Sequence, residues 1–293
     1  MNSKLVITVD LDDWYHVGWL AGRRRTIFHS SQEARTEYSG EGLRGPTHRI
    51  LNLFDEYSVN TTFFIQGEVA QEYPDLVELI KARGHEIGSH DMHHVSPRIR
   101  SIEEFREDVT QSKQVLEGLL KEQILGYRSP NAELLAENVN IIEDLGFRYD
   151  ASVFPCIPIP GFYGRPLAPT QPYRPSREDL SRAVRDRDFI EFPFAVVSYL
   201  RIPGGSSWYL RNLGLGIVKL AIRSQLRRGY ACFNFHPWEI SDNVPRVPGL
   251  PAHVLRNVGT ETFSRIRALL EAFKSLSKFV CFRDCLDDLG SDR

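Results

Sequence analysis

The stretch 83-RGHEIGSHDMHH-94 holds four of the nine histidines in the chain. Two of them, His90 and His94, are spaced as His-x-x-x-His, and residues four apart on a helical turn project from one face. Two imidazoles placed in this way can bind one metal ion, which usually takes a third ligand such as a carboxylate. We expect His85 and His93 not to bind the ion, because His85 opens a predicted strand and His93 points elsewhere on the turn.

The run 10-DLDD-13 supplies carboxylates for such a site. Side chains alternate across a strand, so Asp10 and Asp12 lie on the same side if the strand continues. One of them can bind metal while the other stays free as a base; we predict Asp12 as the ligand, with Asp13 as the alternative that a bulge would favour. Two histidines and one carboxylate leave positions open for water and substrate, and they suit zinc, cobalt, iron or nickel.

The elements that position these residues are predicted from periodicity and from start and stop signals. Short apolar runs predict strands at 4–10, 61–67, 85–89, 124–129, 147–153, 189–196, 230–236 and 279–284. Helical stripes predict helices at 46–57, 74–84, 101–121, 133–145, 211–228 and 261–277. Strands that alternate with helices imply a parallel sheet with helices outside it.

Residues 155–176 break this pattern because they are rich in proline. Proline removes backbone donors and fixes φ, so we expect a long ordered loop there. Loops of this length are usually functional or disordered. We find no clean domain boundary and predict a single domain over residues 1–293, with residues 155–176 as a loop excursion.

Four polar residues from separate segments converge in this scheme. Asp10, His90, Arg128 and His236 each fall at or just after the carboxyl end of a predicted strand. If the strands form a barrel, all four reach the same rim, which is where barrel enzymes keep their chemistry. This convergence predicts an enzyme.

The overall composition is that of a soluble globular protein. The chain has 293 residues and a formal net charge of −2, which gives no case for nucleic-acid binding. The strongest basic run, 23-RRR-25, reads as a solvated loop, or alternatively as a contact to an acidic ligand or membrane headgroup. The N-terminal apolar run is too short for a signal peptide and no stretch is long enough to span a membrane, so we expect a cytoplasmic protein with reduced cysteines.

Taken together, six motifs make the chain recognisable. They are 8-TVDLDDWYH-16, 61-TTFFIQG-67, 84-GHEIGSHDMHH-94, 127-YRSPN-131, 149-YDASVFP-155 and 233-FNFHPWEI-240. The chain resembles the polysaccharide deacetylase family, the NodB-homology domain of carbohydrate esterase family 4. The first and last motifs, and the segment 203-PGGSSWYLRNLG-214, are similar to the branch found in exopolysaccharide and surface-glycan loci.

The resemblance implies a distorted (β/α)7 barrel, a divalent metal that is usually zinc, and hydrolysis of an N-acetyl group from an amino sugar. Asp10 matches the catalytic base, Arg128 the arginine that pairs with it, and His236 the general acid. His90 and His94 match the metal-binding histidines. The family usually has two adjacent aspartates, whereas here Leu11 separates Asp10 from Asp12. Asp150 is the best match to the aspartate that orients the acid histidine in many relatives.

The leading hypothesis is therefore a metal-dependent deacetylase of an N-acetylated sugar, with a lipid-linked or nucleotide-linked glycan intermediate as substrate. One alternative is a hydrolase of the same barrel that acts on a small cyclic amide, imide or ureide. Another is a non-catalytic protein that binds glycans. The presence of Arg128 and His236 favours the deacetylase. Tyr127 and Trp238 are candidate stacking surfaces for a sugar, although aromatic side chains more often pack in a core.

Overall fold

The computed structural model of the chain describes residues 3–16, 42–160, 162–246 and 250–290. The basic run 23-RRR-25 lies outside the described residues. The strands are β1 Lys4–Asp10, β2 Thr62–Ile65, β3 Glu86–Ser89, β4 Gly126–Tyr127, β5 Tyr149–Asp150, β6 Ile190–Glu191, β7 Val196–Val197, β8 Ile202–Pro203, β9 Tyr230–Phe235 and β10 Lys278–Phe279. The helices are α1 Arg44–Tyr57, α2 Gly67–Glu72, α3 Pro74–Ala82, α4 Ile102–Leu120, α5 Ala136–Asp144, α6 Ser207–Asn212, α7 Leu215–Leu226, α8 Thr260–Phe273 and α9 Phe282–Gly290.

Parallel strands form the wall of a barrel in the order β9, β1, β2, β3, β4, β5, β6. Strand β10 pairs with the first residues of β1, and β7 and β8 form a separate antiparallel hairpin. Between β6 and β9 the wall is joined by a backbone hydrogen bond from Ala195 N to the carbonyl of Cys232, 2.9 Å long. This topology confirms the predicted distorted (β/α)7 barrel, with the carboxyl ends of the strands at one rim.

Local sequence signals explain where several helices begin. Ser101 accepts a hydrogen bond from Glu104 N, and the Glu104 side chain accepts one from Ser101 N, so the predicted capping box starts α4. Pro74 occupies the first turn of α3, where no backbone donor is needed. The strands and the inward faces of the helices are buried and apolar, and they pack into one continuous core.

Several boundaries differ from the prediction, and three of them have a local reason. Gly67 begins α2 instead of ending a strand, because its backbone N–H donates to the carbonyl of Asp91. The helix predicted at 211–228 is two helices, since Gly214 has φ 89°, a left-handed angle that interrupts a helix. The last strand is short because Phe282 begins α9, and its ring packs against Tyr149 inside the barrel.

Residues 155–176 form irregular structure with isolated bridges, as the proline content predicted. Within this loop, Ile159 and Tyr163 line a cavity at the rim of the barrel. Among the helices of the described ranges, none combines the length and the apolar character that crossing a membrane requires. Whether residues 1–293 are a single domain stays a prediction.

Candidate active site

His90 and His94 lie in an irregular loop after β3, so the prediction that they share a helical turn is wrong. Asp91 and His94 both have left-handed backbone angles, with φ 65° and 53°, which a right-handed helix excludes. The loop is fixed from the core side, where the carboxylate of Asp91 accepts a 2.5 Å hydrogen bond from the hydroxyl of Tyr127. Even so, it brings the two imidazoles together, with ring centres 4.9 Å apart.

Asp12 joins these two histidines in a buried trio. One ligand atom from each of Asp12, His90 and His94 lies within 4.8 Å of the others. The Nε2 atom of His94 is 3.2 Å from Asp12 Oδ2, and that of His90 is 3.8 Å from Asp12 Oδ1. His90 Nδ1 lies 2.7 Å from the carbonyl oxygen of Arg128. Because a carbonyl only accepts, Nδ1 carries the proton and Nε2 presents its lone pair to the trio.

The protonation behaviour of the trio follows from burial and mutual charge. Burial raises the pKa of Asp12, but the imidazoles of His94 and His90 outweigh it and hold this pKa well below its ordinary value. Burial lowers the pKa of His90. Burial also disfavours the charged form of His94, but the nearby Asp12 carboxylate prevails and raises the pKa of that histidine. The trio combines one carboxylate with two imidazoles, which are the kinds of ligand found in catalytic zinc sites.

Asp13 is placed differently from Asp12. Its Oδ1 atom accepts a 2.7 Å hydrogen bond from the backbone N–H of Trp14, which is a turn-capping role. Asp12 Oδ1 instead accepts a 2.5 Å hydrogen bond from the side-chain amide of Gln66. The geometry therefore favours Asp12 over Asp13 as the carboxylate of the trio, and the assignment itself stays a prediction.

Asp10 ends β1 and sits between the histidine pair and His236. Arg128 Nη1 donates to Asp10 Oδ1 at 2.8 Å, and Asn234 Nδ2 donates to Oδ2 at 2.9 Å. Asp10 Oδ2 is 3.9 Å from Nε2 of His90 and 3.8 Å from Nε2 of His236. Two donors thus fix the orientation of the carboxylate at the point where the predicted site residues converge.

Arg128 is buried, with its guanidinium between two aromatic rings. The guanidinium carbon is 4.3 Å from the ring centre of Phe64 and 4.6 Å from that of Phe194. Burial disfavours its charge, but the Asp10 carboxylate prevails and raises the pKa of Arg128. Arg128 also donates from Nε to the carbonyl of Ala151 at 2.8 Å. A permanent cation is therefore locked in one orientation beside Asp10.

His236 is oriented by Glu239, which the sequence analysis missed. His236 Nδ1 lies 2.9 Å from Glu239 Oε2, and the backbone N–H of His236 donates to the same oxygen at 2.9 Å. The other carboxylate oxygen accepts a 2.9 Å bond from Arg211 Nε, and the Ser207 hydroxyl also donates to Glu239. Burial opposes protonation of His236, but the charge of Glu239 prevails, aided by Asp12, and raises the pKa of His236 to about 9.

The suggestion that Asp150 orients His236 is wrong. Asp150 Oδ1 accepts a 2.6 Å hydrogen bond from the hydroxyl of Ser152, and Oδ2 accepts a 3.0 Å bond from the Ser152 N–H. Burial raises the pKa of Asp150. Glu239 was detectable in the sequence, because it follows His236 by the three residues of a capping box.

The two aromatic residues predicted to stack on a sugar, Tyr127 and Trp238, lie in different surroundings. Tyr127 is fully buried and packs against Phe105 and Phe147, with its hydroxyl committed to Asp91, so its interpretation as a sugar-stacking surface is wrong. Trp238 lines the cavity, with its indole ring 6.0 Å from the His236 ring. A sugar contact for Trp238 stays a prediction.

The remaining histidines of the cluster lie apart from the trio. His85 packs against Phe63, with ring centres 5.2 Å apart, and burial lowers the pKa of His85 to about 4. The side chain of His93 is exposed, and its Nδ1 atom lies 2.8 Å from Asp108 Oδ1. His85 is thus a neutral core residue, and His93 belongs to a surface ion pair.

The site opens into a cavity of about 210 Å³ at the barrel rim. Asp10, Asp12, His90, His94, Arg128 and His236 all line it. The same cavity is lined by an aromatic wall that sequence reasoning missed, in which Phe154 stacks on Phe194 at 4.3 Å and on Tyr163 at 4.7 Å. The Tyr163 and Tyr209 hydroxyls are 2.9 Å apart. A buried polar cluster facing apolar rings is typical of a small-molecule or cofactor site.

The fold and the site define a parallel barrel with a carboxylate–histidine cluster at its carboxyl rim. Comparison with known families describes the chain further. Residues 40–149 match the model described as polysaccharide deacetylase, and residues 151–282 match a domain of unknown function, DUF3473. Residues 40–149 thus match the polysaccharide deacetylase family, which confirms the resemblance seen in the motifs of the chain. His90, His94 and Arg128 fall in the first match and His236 falls in the second, whereas Asp10 and Asp12 lie outside both.

Individual relatives cover only part of the chain. A peptidoglycan-N-acetylglucosamine deacetylase of Bacillus cereus is 36% identical over 29% of this chain and 39% of its own length. A peptidoglycan deacetylase of Helicobacter pylori is 26% identical over 52% of this chain and 51% of its own length. The chain thus spans about half the length of these relatives, or less. Among solved structures, the allantoinase Puue superposes with a TM-score of 0.66 and 18% identity, covering 99% of this chain and 91% of the allantoinase, a likeness of fold.

Proposed function

We propose that this protein hydrolyses the N-acetyl group of an amino sugar in a glycan or glycan intermediate and releases acetate. We further propose that Asp12, His90 and His94 hold a divalent metal, for which zinc is the first candidate. One observation carries the proposal: the trio within 4.8 Å lies directly beside an Asp10 that is braced by Arg128. A metal site with an adjacent carboxylate that is not a ligand supplies the activated water and the base that metal-dependent hydrolysis of an amide uses.

The residues present fit a metal on grounds of their chemistry. Two imidazole nitrogens and one carboxylate converge, and His90 already donates its other ring N–H to a carbonyl, as metal-binding histidines usually do. Gln66 orients the carboxylate of Asp12 in the same manner. A divalent ion held there would supply Lewis acidity toward water and toward the acetyl carbonyl.

The chain's own groups divide the proton transfers between them. Asp10, held by Arg128 and Asn234, would accept the proton of the attacking water. His236 lies on the other side, with Nε2 3.8 Å from Asp10 Oδ2. Since the pKa of His236 is raised to about 9, it holds a proton at neutral pH and would donate it to the departing amine. The aromatic wall would exclude bulk water from the acetyl group.

The chemical class of the substrate is supported by the relatives named above, which are deacetylases of peptidoglycan. Chitooligosaccharide deacetylases of Azorhizobium and Rhizobium also match, at 26% identity. For this chain we propose an N-acetylated amino sugar, with Trp238 as a stacking surface at the cavity.

The test is acetate release from N-acetylglucosamine oligomers by the metal-loaded protein. Asp10→Asn should lower kcat by at least about 100-fold, the usual contribution of a general base, while the metal content stays at the parent level. His236→Ala should lower kcat by a similar factor. A matched pair of double variants completes the design: His90→Ala with His94→Ala should lose the metal, and His85→Ala with His93→Ala should keep it. An Asp10→Asn protein as active as the parent would refute the mechanism.

A hydrolase of small cyclic amides is the second candidate, because the allantoinase covers 99% of this chain in the superposition. The sugar deacetylase and the hydrolase of cyclic amides would act on different substrates in the same assay. Ring opening of allantoin or hydantoin without acetate release from sugars would establish the second candidate. Specific glycan binding by a metal-loaded protein that hydrolyses neither substrate would establish a non-catalytic role.

A further inference from the structure

Two segments of the chain carry basic residues and no acidic ones. Neither residues 151–177 nor residues 192–238 contain an Asp or a Glu, although the chain as a whole has a net charge of −2. In the described structure, exposed large apolar side chains concentrate in the same segments; they are Ile157, Leu167, Tyr199, Leu200, Leu213 and Leu220. Tyr199 is 99% exposed and Leu167 83% exposed, so these are surface groups and not the edge of the core.

Arg201 holds these segments together at the surface. Its Nη1 atom donates to the carbonyls of Pro155 at 3.3 Å and Ala168 at 2.8 Å, and its own carbonyl accepts from Ile157 N at 3.0 Å. The tip of the β7–β8 hairpin, which carries Tyr199, is therefore fixed against the loop that carries Ile157. The exposed side chains of Ile157, Leu167, Tyr199 and Leu200 therefore belong to segments that are joined at one surface.

Two arginines at this surface, Arg201 and Arg228, carry positive charge that no ion pair within the described residues offsets. Arg228 donates to the hydroxyl of Thr170 at 3.1 Å. Burial and the charge of Arg228 both lower the pKa of Arg201, so the two guanidinium groups are close enough to repel. Neither makes an ion pair with any residue in the described ranges.

Helix α7 also presents exposed apolar and basic residues. Leu220, Arg223 and Arg227 are exposed and follow one another at helical spacing, so they share its outer face. The hairpin is anchored to this helix, because Ser198 N donates to Ser224 Oγ at 3.0 Å. The outer face of α7 is thus linked by direct contact to the hairpin tip.

We propose that this surface docks the protein on a bilayer that contains anionic lipids. We name it the basic–apolar face and define it by its exposed members, which are Ile157, Leu167, Tyr199, Leu200, Arg223, Arg227 and Arg228. Exposed aromatic and aliphatic side chains insert into the headgroup layer, and nearby basic residues are attracted to anionic headgroups. Exposed apolar residues with basic neighbours mark an interaction site, and residues 151–177 and 192–238 contribute no acidic side chain that an anionic membrane would repel.

The position of the face relative to the cavity gives docking a consequence. Ile157 on the face is two residues from Ile159, which lines the active-site cavity. Docking would hold the cavity beside the headgroup layer, within reach of a glycan borne on a lipid. The docking itself does not depend on the proposed reaction.

The test is flotation of the full chain with vesicles of phosphatidylcholine alone or mixed with phosphatidylglycerol. The parent should float with the mixed vesicles and not with phosphatidylcholine alone, and salt should weaken the binding. Arg223→Gln with Arg227→Gln should weaken it by roughly 30-fold, from about fivefold for each basic residue near an anionic surface. Tyr199→Ser with Leu200→Ser should abolish insertion, and Leu276→Ser, an exposed leucine outside the face, should bind as the parent does.

Equal flotation with both kinds of vesicle, or none with either, would overturn the proposal. So would parent-like binding by the Tyr199→Ser, Leu200→Ser variant. Sedimentation velocity is run on the same proteins: a dimer that the double variant dissociates, without vesicle binding, would assign the face to a second copy of the chain instead. Acetate release from a soluble oligomer by the Tyr199→Ser, Leu200→Ser variant should match the parent, which separates docking from the reaction.

Discussion

Replacement of Glu239 by glutamine should destabilise the fold and disturb His236 at the same time. The Glu239 carboxylate is 1% exposed and accepts hydrogen bonds from Arg211 Nε and from both the backbone and the ring of His236. A glutamine keeps the shape but supplies one acceptor oxygen and one amide donor. The amide N–H must then face a donor, either the guanidinium or the imidazole, and a buried arginine loses its counter-ion.

The size of the effect follows from the pKa of Glu239. Burial raises this pKa, but Arg211 and His236 prevail and lower it from 4.5 to about 2. With about 1.4 kcal/mol for each unit of difference between the folded and unfolded pKa, the ionised carboxylate contributes about 3 kcal/mol to the free energy of unfolding. Loss of one partner of a buried ion pair costs a similar amount, about 3–5 kcal/mol.

The sign of the pH dependence is fixed by the direction of the shift. A carboxylate with a lowered folded pKa stabilises the protein above its unfolded pKa, and this stabilisation is lost as the pH falls toward 2. The glutamine variant lacks that titration. The difference between parent and variant should therefore be full at pH 7 and should shrink below about pH 4.5.

Urea unfolding of the metal-free proteins at a series of pH values measures this difference. Glu56→Gln is the matched control, because Glu56 also pairs with an arginine, Arg267, but at the surface; its unfolding should be nearly unchanged. A Glu239→Gln protein that unfolds like the Glu56→Gln control would refute the buried counter-ion role. In the active protein, the same variant should move the alkaline limb of the activity profile to lower pH, because His236 loses the carboxylate that raises its pKa.

Three further predictions concern the metal site and its support. Asp12→Asn should bind zinc more than about 100-fold more weakly by competition with a chelator, whereas Asp13→Asn should bind it as the parent does; the reverse result would assign the site to Asp13. Gly67→Ala should lower the free energy of unfolding by about 1–3 kcal/mol, because the added methyl would lie 2.2 Å from Met92 Sδ; an unchanged urea midpoint would contradict that contact. Tyr127→Phe should cost about 1–3 kcal/mol by leaving a buried acceptor unpaired, and a large rise in KM with unchanged stability would instead restore its role as a substrate contact.

The rim residues could be predicted because parallel strands fix where their ends meet. Asp10, Arg128 and His236 each stand at the end of a strand, so their convergence needs only the topology. The sequence already contained the information that Tyr127 does not face the site. Successive residues in a strand point to opposite faces, so once Arg128 is assigned to the site, Tyr127 belongs to the other side.

The partners that orient the site could not be predicted with the same ease, because they depend on tertiary contacts between distant segments. Gln66 reaches Asp12 from 54 positions away, and Arg211 reaches Glu239 from 28. The loop that carries His90 and His94 was mistaken for a helical turn because the spacing of two residues says nothing about φ. Its shape is fixed by Asp91, whose carboxylate is satisfied by Tyr127 from another strand.

The separated aspartates, which depart from the family pattern, are accommodated by the end of β1. The ladder continues one residue past the strand, since Leu11 N donates to the carbonyl of Phe64 at 2.8 Å. Asp12 N then donates to the carbonyl of Asp10 at 2.8 Å, which closes a tight turn. Leu11 is fully buried in the hydrophobic core, whereas the aspartates on either side of it line the cavity. The extra residue thus separates the two roles, with Asp10 directed to Arg128 and Asp12 directed to the histidines, and any polar replacement of Leu11 should disturb both carboxylates together.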